Sequence, residues 1–337
     1  MKAVVLVGGE GTRLRPLTET VPKPLLPLVD RPILDHVLDH LVLHGVREVI
    51  MSSPYLEDTF HPFIETRGGD PAITWVTEPE PLGTGGAIVS ALDHLGDEPF
   101  FALNGDILTD LDLTAMLGSH RERGAVATIA LHRVEDARAF GLVATDRDGR
   151  ITEFREKPPD PVPGDINAGT YVLQPSVLRA WPSGTYVWME GEVFPALIRD
   201  GAAVHGFDAD AYWLDLGTPE QYLRAHVDLL AGEVRGVSYD APWVAADASV
   251  DPTARVGRSV AIGEGARVGP GAELDEAVLM AGAQVGEDAS VMRSIVGARG
   301  TVGRGATLVD SVIGEGDQVS PGVRLEGARV GSGEQLS

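Results

Sequence analysis

The sequence predicts an α/β domain with a mostly parallel sheet over residues 1–235, followed by a parallel β-helix over residues 236–337. Three observations predict it. Short apolar runs alternate with helix-period stretches in the first part, an aliphatic residue returns every five or six positions in the second, and the composition shifts between them.

In the first part, Ala3–Val7 reads as a buried strand, and Ile33, Leu34, Val37, Leu38, Leu41 and Val42 mark one helix face. Val46–Met51, Pro99–Leu103, Ala125–Leu131 and Arg150–Phe154 are further strands, with helices expected over 84–95, 112–123 and 219–231. Thr218 and Pro219 suit the N-cap and first turn of the last helix. Ligands of such sheets sit beyond the carboxyl ends of the strands, so the loops there carry the functional interest.

Residues 236–337 hold 18 of the 41 glycines, no His, no Lys, and only Tyr239 and Trp243 as aromatics. Val244, Val250, Val256, Ile262, Val268 and Leu274 are spaced by six; then five, six, six repeats through Leu279, Val285, Val291, Val296, Val302, Leu308, Ile313, Val319, Leu325 and Val330. A hexad with one inward aliphatic and corner glycines makes one face of a coil, and three hexads close it. The pattern resembles the left-handed hexapeptide-repeat β-helix. Its coil ends and flat faces are packing surfaces, which points to a homo-oligomer.

Composition bounds the partners. With 27 Lys+Arg against 50 Asp+Glu and a formal charge of −23, nucleic acid and anionic membranes are poor partners. The absence of Cys removes disulfides, thiolate metal sites and a thiol nucleophile. The first apolar run is too short for a signal peptide and none reaches the length of a membrane span, so a cytoplasmic location is expected. Only three basic residues are lysines: Lys2, Lys23 and Lys157.

The first strand runs into Gly8-Gly9-Glu10-Gly11-Thr12-Arg13-Leu14-Arg15-Pro16-Leu17-Thr18. Its glycines let backbone N–H groups approach a phosphate or base. The loop lacks the Gly-Lys-Ser/Thr of a Walker A motif and the third glycine of a dinucleotide fingerprint. Lys23 follows between Pro22 and Pro24, which are expected to hold the segment extended and fix where the ammonium points. Phe100–Asp106 and Trp213–Pro219 are apolar strands ending in carboxylates, Asp106 and Asp215, and Mg²⁺ takes one or two such carboxylates with phosphates and water.

Together, Gly-Gly-x-Gly-Thr-Arg-Leu-x-Pro-Leu-Thr and Pro-Lys-Pro-Leu-Leu-Pro (22–27) closely resemble the signature of the sugar-1-phosphate nucleotidylyltransferases. The resemblance implies a Rossmann-like mixed-sheet nucleotidyltransferase domain over 1–235 and a reaction of NTP with sugar 1-phosphate. It implies that Gly8, Gly9, Gly11, Thr12, Arg13 and Lys23 bind the nucleotide, with Arg13 and Lys23 on its phosphates. Asp106 and Asp215 match the family's Asn-Gly-Asp and Asp-x-Gly-Thr-Pro aspartates, which hold magnesium. Glu156 and Lys157 match its Glu-Lys-Pro, with the glutamate on sugar hydroxyls and the lysine on the sugar phosphate. Asn167 matches its Asn-x-Gly-x-Tyr segment, and Gly141 the glycine whose backbone approaches the sugar. Gly83 and Thr84, in Leu-Gly-Thr-Gly-Gly, match the loop that contacts base and ribose; on the bare pattern these glycines open a helix and pack.

A phosphate monoester is already a nucleophile, so catalysis reduces to positioning and charge stabilisation, with Arg13, Lys23 and Lys157 as the catalytic cations. The motifs and the appended β-helix look most like mannose-1-phosphate guanylyltransferases. The Lys-Gln and Gly-Leu-Ala variants usual in glucose-1-phosphate thymidylyltransferases are absent. Another sugar or cyclitol phosphate, or a uridylyl or adenylyl donor, stays open. An acyltransferase β-helix is disfavoured because residues 236–337 lack the His and lysines such a site needs. A non-catalytic regulatory homologue is the remaining alternative.

Overall fold

The computed structural model describes residues 1–53, 57–78, 80–208, 210–331 and 335–336. The chain forms two compact units, each from two separated stretches: Met1–Gly9 with Val37–Trp213, and Glu10–His36 with Leu214–Ser337.

The first unit is built on a nine-stranded sheet. Its strands are β1 (Lys2–Leu6), β2 (Glu48–Ser53), β3 (Ala72–Thr77), β4 (Phe100–Asn104), β5 (Ala127–Val134), β6 (Gly141–Thr145), β7 (Ile151–Glu156), β8 (Gly164–Leu173) and β9 (Val204–Asp208). The order is β7-β6-β8-β4-β1-β2-β3, with β5 also on β8 and β9 on β5. Strands β4, β1, β2 and β3 run parallel, whereas β8 is antiparallel to β4, β5 and β6. The sheet is therefore mixed, as the family resemblance implied, rather than mostly parallel as strand–helix alternation alone implied. The antiparallel half arises between residues 127 and 173, where strands β5 to β8 follow one another with no intervening helix. Val4, Ile50, Phe100, Ala102, Ile129, Tyr171 and Leu173 fill its core.

The helices follow the expected periods. Ile33, Leu34, Val37, Leu38 and Leu41 are buried along α1 (Ile33–Leu43). Helix α2 (Glu57–Arg67) lacks a strong apolar stripe and has no counterpart in the sequence reading. Helix α3 (Gly83–Ser90) stops short of the expected 84–95, the remainder continuing as a 3₁₀ turn at Leu92–His94. In α4 (Leu113–Glu122), Asp112 caps the N-terminus by accepting from Ala115 N–H at 2.9 Å. Helix α5 (Phe194–Arg199) completes the first unit.

The second unit joins the signature loop to helix α6 (Pro219–Ala231) and the β-helix. Thr218 caps α6 as its side chain accepts from Gln221 N–H, and Gly232 ends the helix at φ 77. Beyond it, two-to-three-residue strands stack in parallel into three sheets of six, six and five strands. Trp243–Val244 pairs with Ala261–Ile262 across 18 residues, and later partners such as Val278 and Ile295 lie 17 apart. Every aliphatic of the hexad series falls in one of these strands, and Ile262, Val268, Leu274, Leu279, Val285, Val291, Val296, Val302, Leu308, Ile313, Val319 and Val330 are buried together.

The missing residue of the shorter coils has a physical site. At one corner the chain reverses through Glu276, Arg293 and Asp310 at φ 45, 45 and 48, then through Gly327 at φ 63. The small residues that follow face the next coil. Ser294 Oγ accepts from Ser311 N–H at 3.0 Å, and Ser311 Oγ from Ala328 N–H at 3.1 Å, a polar ladder along the tight corner.

Candidate active site

In the second unit the signature loop folds into two 3₁₀ turns, Thr12–Leu14 and Lys23–Leu25. Gly11 enters the first at φ 63; a Cβ there would stand 3.0 Å from Thr18 Cγ2 and 3.2 Å from Lys23 Cβ, so glycine meets both a conformational and a steric demand. Thr18 Oγ1 closes the loop by donating to Gly11 O at 2.8 Å. The expectation that Pro22 and Pro24 hold Lys23 extended is corrected. Pro22 is extended, but Lys23 opens a helical turn, because Pro24 sits in the first turn where no backbone N–H is needed.

That turn buries Lys23 and aims it at Asp215. Lys23 Nζ stands 3.7 Å from Asp215 Oδ1, and Arg13 Nη2 stands 3.8 Å from Asp215 Oδ2. These separations exceed the 2.7–2.9 Å of a direct charge-assisted hydrogen bond. Arg13 crosses over Gly217, where a Cβ would approach Nη2 to 2.6 Å. Its side chain stays 65% exposed while that of Lys23 is 8% exposed, so one cation reaches solvent and the other is fixed inside. Thr12 is exposed beside Arg13.

The first unit holds the remaining candidates. Gly8 and Gly9 follow β1 at its carboxyl end. Asp106 lies partly buried in the turn after β4, where Gly105 N–H donates to Leu6 O at 2.9 Å. Asn104 packs against Gly169, whose φ is 69 and whose Cβ would stand 2.6 Å from Asn104 Nδ2. Among the described residues no cluster of three or more His, Cys, Asp or Glu could hold a metal by itself.

Gly141 pairs with Glu156 across β6 and β7, and a Cβ on Gly141 would meet the Phe154 ring at 2.7 Å and Glu156 Oε2 at 2.9 Å. Lys157 adopts φ 44, held by its N–H donating to Phe140 O at 3.0 Å, and its Nζ lies 3.6 Å from Glu156 Oε1. A non-glycine residue there is strained, here just before a proline that disfavours compact backbone. Burial raises the Glu156 pKa, Lys157 opposes the shift, and the Glu190 carboxylate adds to it.

A hydrogen-bonded series links the Asn167 and Thr84 segments. Asn167 Oδ1 accepts from Gly169 N–H at 3.0 Å, and its Nδ2 donates to Tyr171 Oη at 2.8 Å. Tyr171 donates to Glu190 Oε1 at 3.2 Å, and Thr84 Oγ1 donates to Glu190 Oε2 at 2.7 Å. The Thr84 hydroxyl also accepts from Met189 N–H at 3.2 Å, which orients it inward. Gly83, at φ 72, along with Gly85 and Gly86, passes so close to Thr185–Val187 that a Cβ would fall within 2.7 Å of a backbone or Val187 side-chain atom. Packing thus accounts for these three glycines. Sequence reasoning missed Glu190: it sits in a π-helical turn, Met189–Val193, inside Met-Glu-Gly-Glu-Val, and no spacing ties it to Thr84.

Residues 2–232 match the family model described as nucleotidyl transferase. The chain belongs to the nucleotidyl transferase family. Residues 240–337 match a second model, described as the GMPPB C-terminal domain. Among relatives of this nucleotidyltransferase, the mannose-1-phosphate guanylyltransferase of Mycobacterium tuberculosis is 42% identical over 288 residues, covering 82% of this chain and 79% of the relative. The catalytic subunit beta of that enzyme from Danio rerio is 38% identical, covering 77% and 74%. The crystal structure of HddC from Yersinia pseudotuberculosis superposes with a TM-score of 0.59 at 29% identity, covering 66% of this chain and 97% of that one. The same protein has been solved in complex with GMP-PN. Among the described residues no helix is long and apolar enough to cross a membrane.

Proposed function

We propose that this nucleotidyltransferase converts GTP and mannose 1-phosphate to GDP-mannose and pyrophosphate. The observation that carries the reading is the convergence of Arg13 and Lys23 on Asp215, from a signature loop and a strand end far apart in sequence. Guanine and mannose rest on the mannose-1-phosphate guanylyltransferases that match most of the chain. An oxygen of the sugar phosphate attacks the α-phosphorus of GTP, and the bond from that phosphorus to the pyrophosphate oxygen breaks. The phosphate dianion needs no base.

In this reading Arg13 stabilises the departing pyrophosphate, Lys23 holds the nucleotide phosphates and Lys157 receives the sugar phosphate. Gly8, Gly9, Gly11 and Thr12 present backbone to the phosphates, with Gly83 and Thr84 at base and ribose. Gly141, Glu156 and Asn167 face the sugar. Nucleotidyltransferases of this family generally use a divalent metal, and we assign Mg²⁺, held by Asp106 and Asp215. The donor chemistry fits, since Mg²⁺ takes one or two carboxylates and completes its shell with phosphates and water. Bound there, magnesium would neutralise charge on the α-phosphate. We place the division between catalytic and β-helix domains near residue 235, the β-helix as a homo-oligomer contact, and the enzyme in the cytoplasm.

Pyrophosphate release from GTP, dTTP, UTP and ATP against a panel of sugar and cyclitol 1-phosphates tests this reading. GTP with mannose 1-phosphate should give the highest kcat/KM, and Arg13→Ala or Asp106→Asn should slow it by roughly 10²-fold or more. No release with any pair would favour a regulatory homologue, and near-normal activity in either variant would remove these roles.

A further inference from the structure

Arg329 ties the β-helix to the arginine loop. Arg329, in the short strand Arg329–Val330, donates from Nη1 to the backbone oxygen of Arg13 at 3.1 Å and from Nη2 to Glu220 Oε1 at 3.3 Å. Glu220 is the second residue of α6, five positions after Asp215. One guanidinium therefore grips the main chain beneath Arg13 and the helix leading away from its carboxylate partner. Burial pushes the Glu220 carboxyl up, but hydrogen bonds from Thr218, its own amide and Arg329 outweigh this and keep it below the usual glutamate value.

The coils beside Arg329 are shaped to receive the rest of the loop. Gly314 and Gly331, one coil apart, both face Pro16: a Cβ on them would stand 3.1 Å and 2.6 Å from Pro16 Cβ. Thr20 Oγ1 donates to Glu315, which also pairs with Arg299. A side chain at Gly331 would collide with Pro16, two residues beyond the Thr12–Leu14 turn.

We propose that Arg329 is a positioning residue for Arg13, so that the β-helix sets the geometry of the phosphate-binding loop. The inference rests on the reading of Arg13 given above. The Arg329–Glu220 pair is exposed, with side chains 46% and 74% accessible, and such pairs add little to stability. Its consequence lies in kinetics.

The test is pyrophosphate release by the full chain in Arg329→Ala, Arg329→Lys, Arg13→Ala and the double alanine variant, with thermal midpoints measured alongside. Arg329→Ala should lower kcat/KM for the nucleotide about tenfold, leave KM for the sugar phosphate unchanged and leave the midpoint within about 2 °C. Arg329→Lys should recover part of the loss through one remaining donor. The double variant should be no slower than Arg13→Ala, because Arg329 acts through that residue. Unchanged kinetics in Arg329→Ala, a raised KM for the sugar phosphate, or additive losses would overturn the proposal while leaving the role of Arg13 intact. Full activity in Arg13→Ala would overturn that role and this inference with it. If Arg329→Ala does not fold, Glu220→Gln, which weakens only one arm, should give a smaller loss of the same kind, and none would count against the brace.

Discussion

Burial raises the Glu156 pKa against the opposing Lys157, with the Glu190 carboxylate adding to the rise, at a place where Gly141 has no side chain to crowd it. In the role proposed for it, the carboxylate that would accept sugar hydroxyls is lost as pH falls through its folded pKa, here above the ordinary value of 4.5. The KM for the sugar phosphate should therefore rise as pH is lowered from about 7.5 to 5, and Glu156→Gln should flatten that limb. A flat wild-type profile would count against this role. Arg13, Lys23 and Asp215 are legible in the sequence because a long contiguous motif frames each of them. Glu190 is not: its partners Thr84 and Tyr171 lie 106 and 19 residues away, and neighbouring residues do not encode such a bond. The backbone at Lys23 is ambiguous in the sequence because a proline on each side of a lysine is compatible with an extended strand and with the first turn of a helix.

At the scale of elements, the β-helix is the most legible part, since one aliphatic per face repeats with little interruption. In Thr301–Val302 one side chain is buried and the other partly exposed, whereas in Val278–Leu279 and Ile295–Val296 both are buried. Val302→Ala should lower the unfolding free energy of the β-helix by about 2 kcal/mol and Thr301→Ala by no more than about 0.5, measured by urea denaturation. Equal effects would mean that the inward ladder is not what holds the coils. The catalytic sheet is half legible. An apolar run such as Ala3–Val7 announces a buried strand, and Ala3, Val4 and Val5 are fully enclosed, but the direction of a partner strand depends on contacts beyond the run. Strand β8 pairs with three others, and its apolar content alone cannot reveal their antiparallel course.

For the whole molecule, buried histidines add to the acid sensitivity of stability. Burial is the chief cause that lowers His40, His120 and His226 from 6.5 to about 4. His226 is 1% exposed, and its Nδ1–H donates to Tyr222 O at 3.0 Å, a bond made by the neutral ring. The unfolded chain binds these protons first, so the stabilisation is complete above pH 6.5 and is lost as pH falls toward 4. For His226 the loss is at most ~3 kcal/mol. Urea unfolding from pH 7 to 4.5 should show this decline, and His226→Gln should reduce its slope. A slope unchanged by that substitution would assign the decline to other groups.

The pairing of residues 10–36 with residues 214–337 in one compact unit has a consequence for biosynthesis. The bonds from Thr20 to Glu315 and from Arg13 to Arg329 span 295 and 316 residues. At a ribosomal rate of roughly 5–20 residues per second, the arginine loop emerges first and then waits on the order of 15–60 seconds for its support. The segment made earlier is therefore late to acquire its final shape, which waits on the coils that carry Glu315 and Arg329.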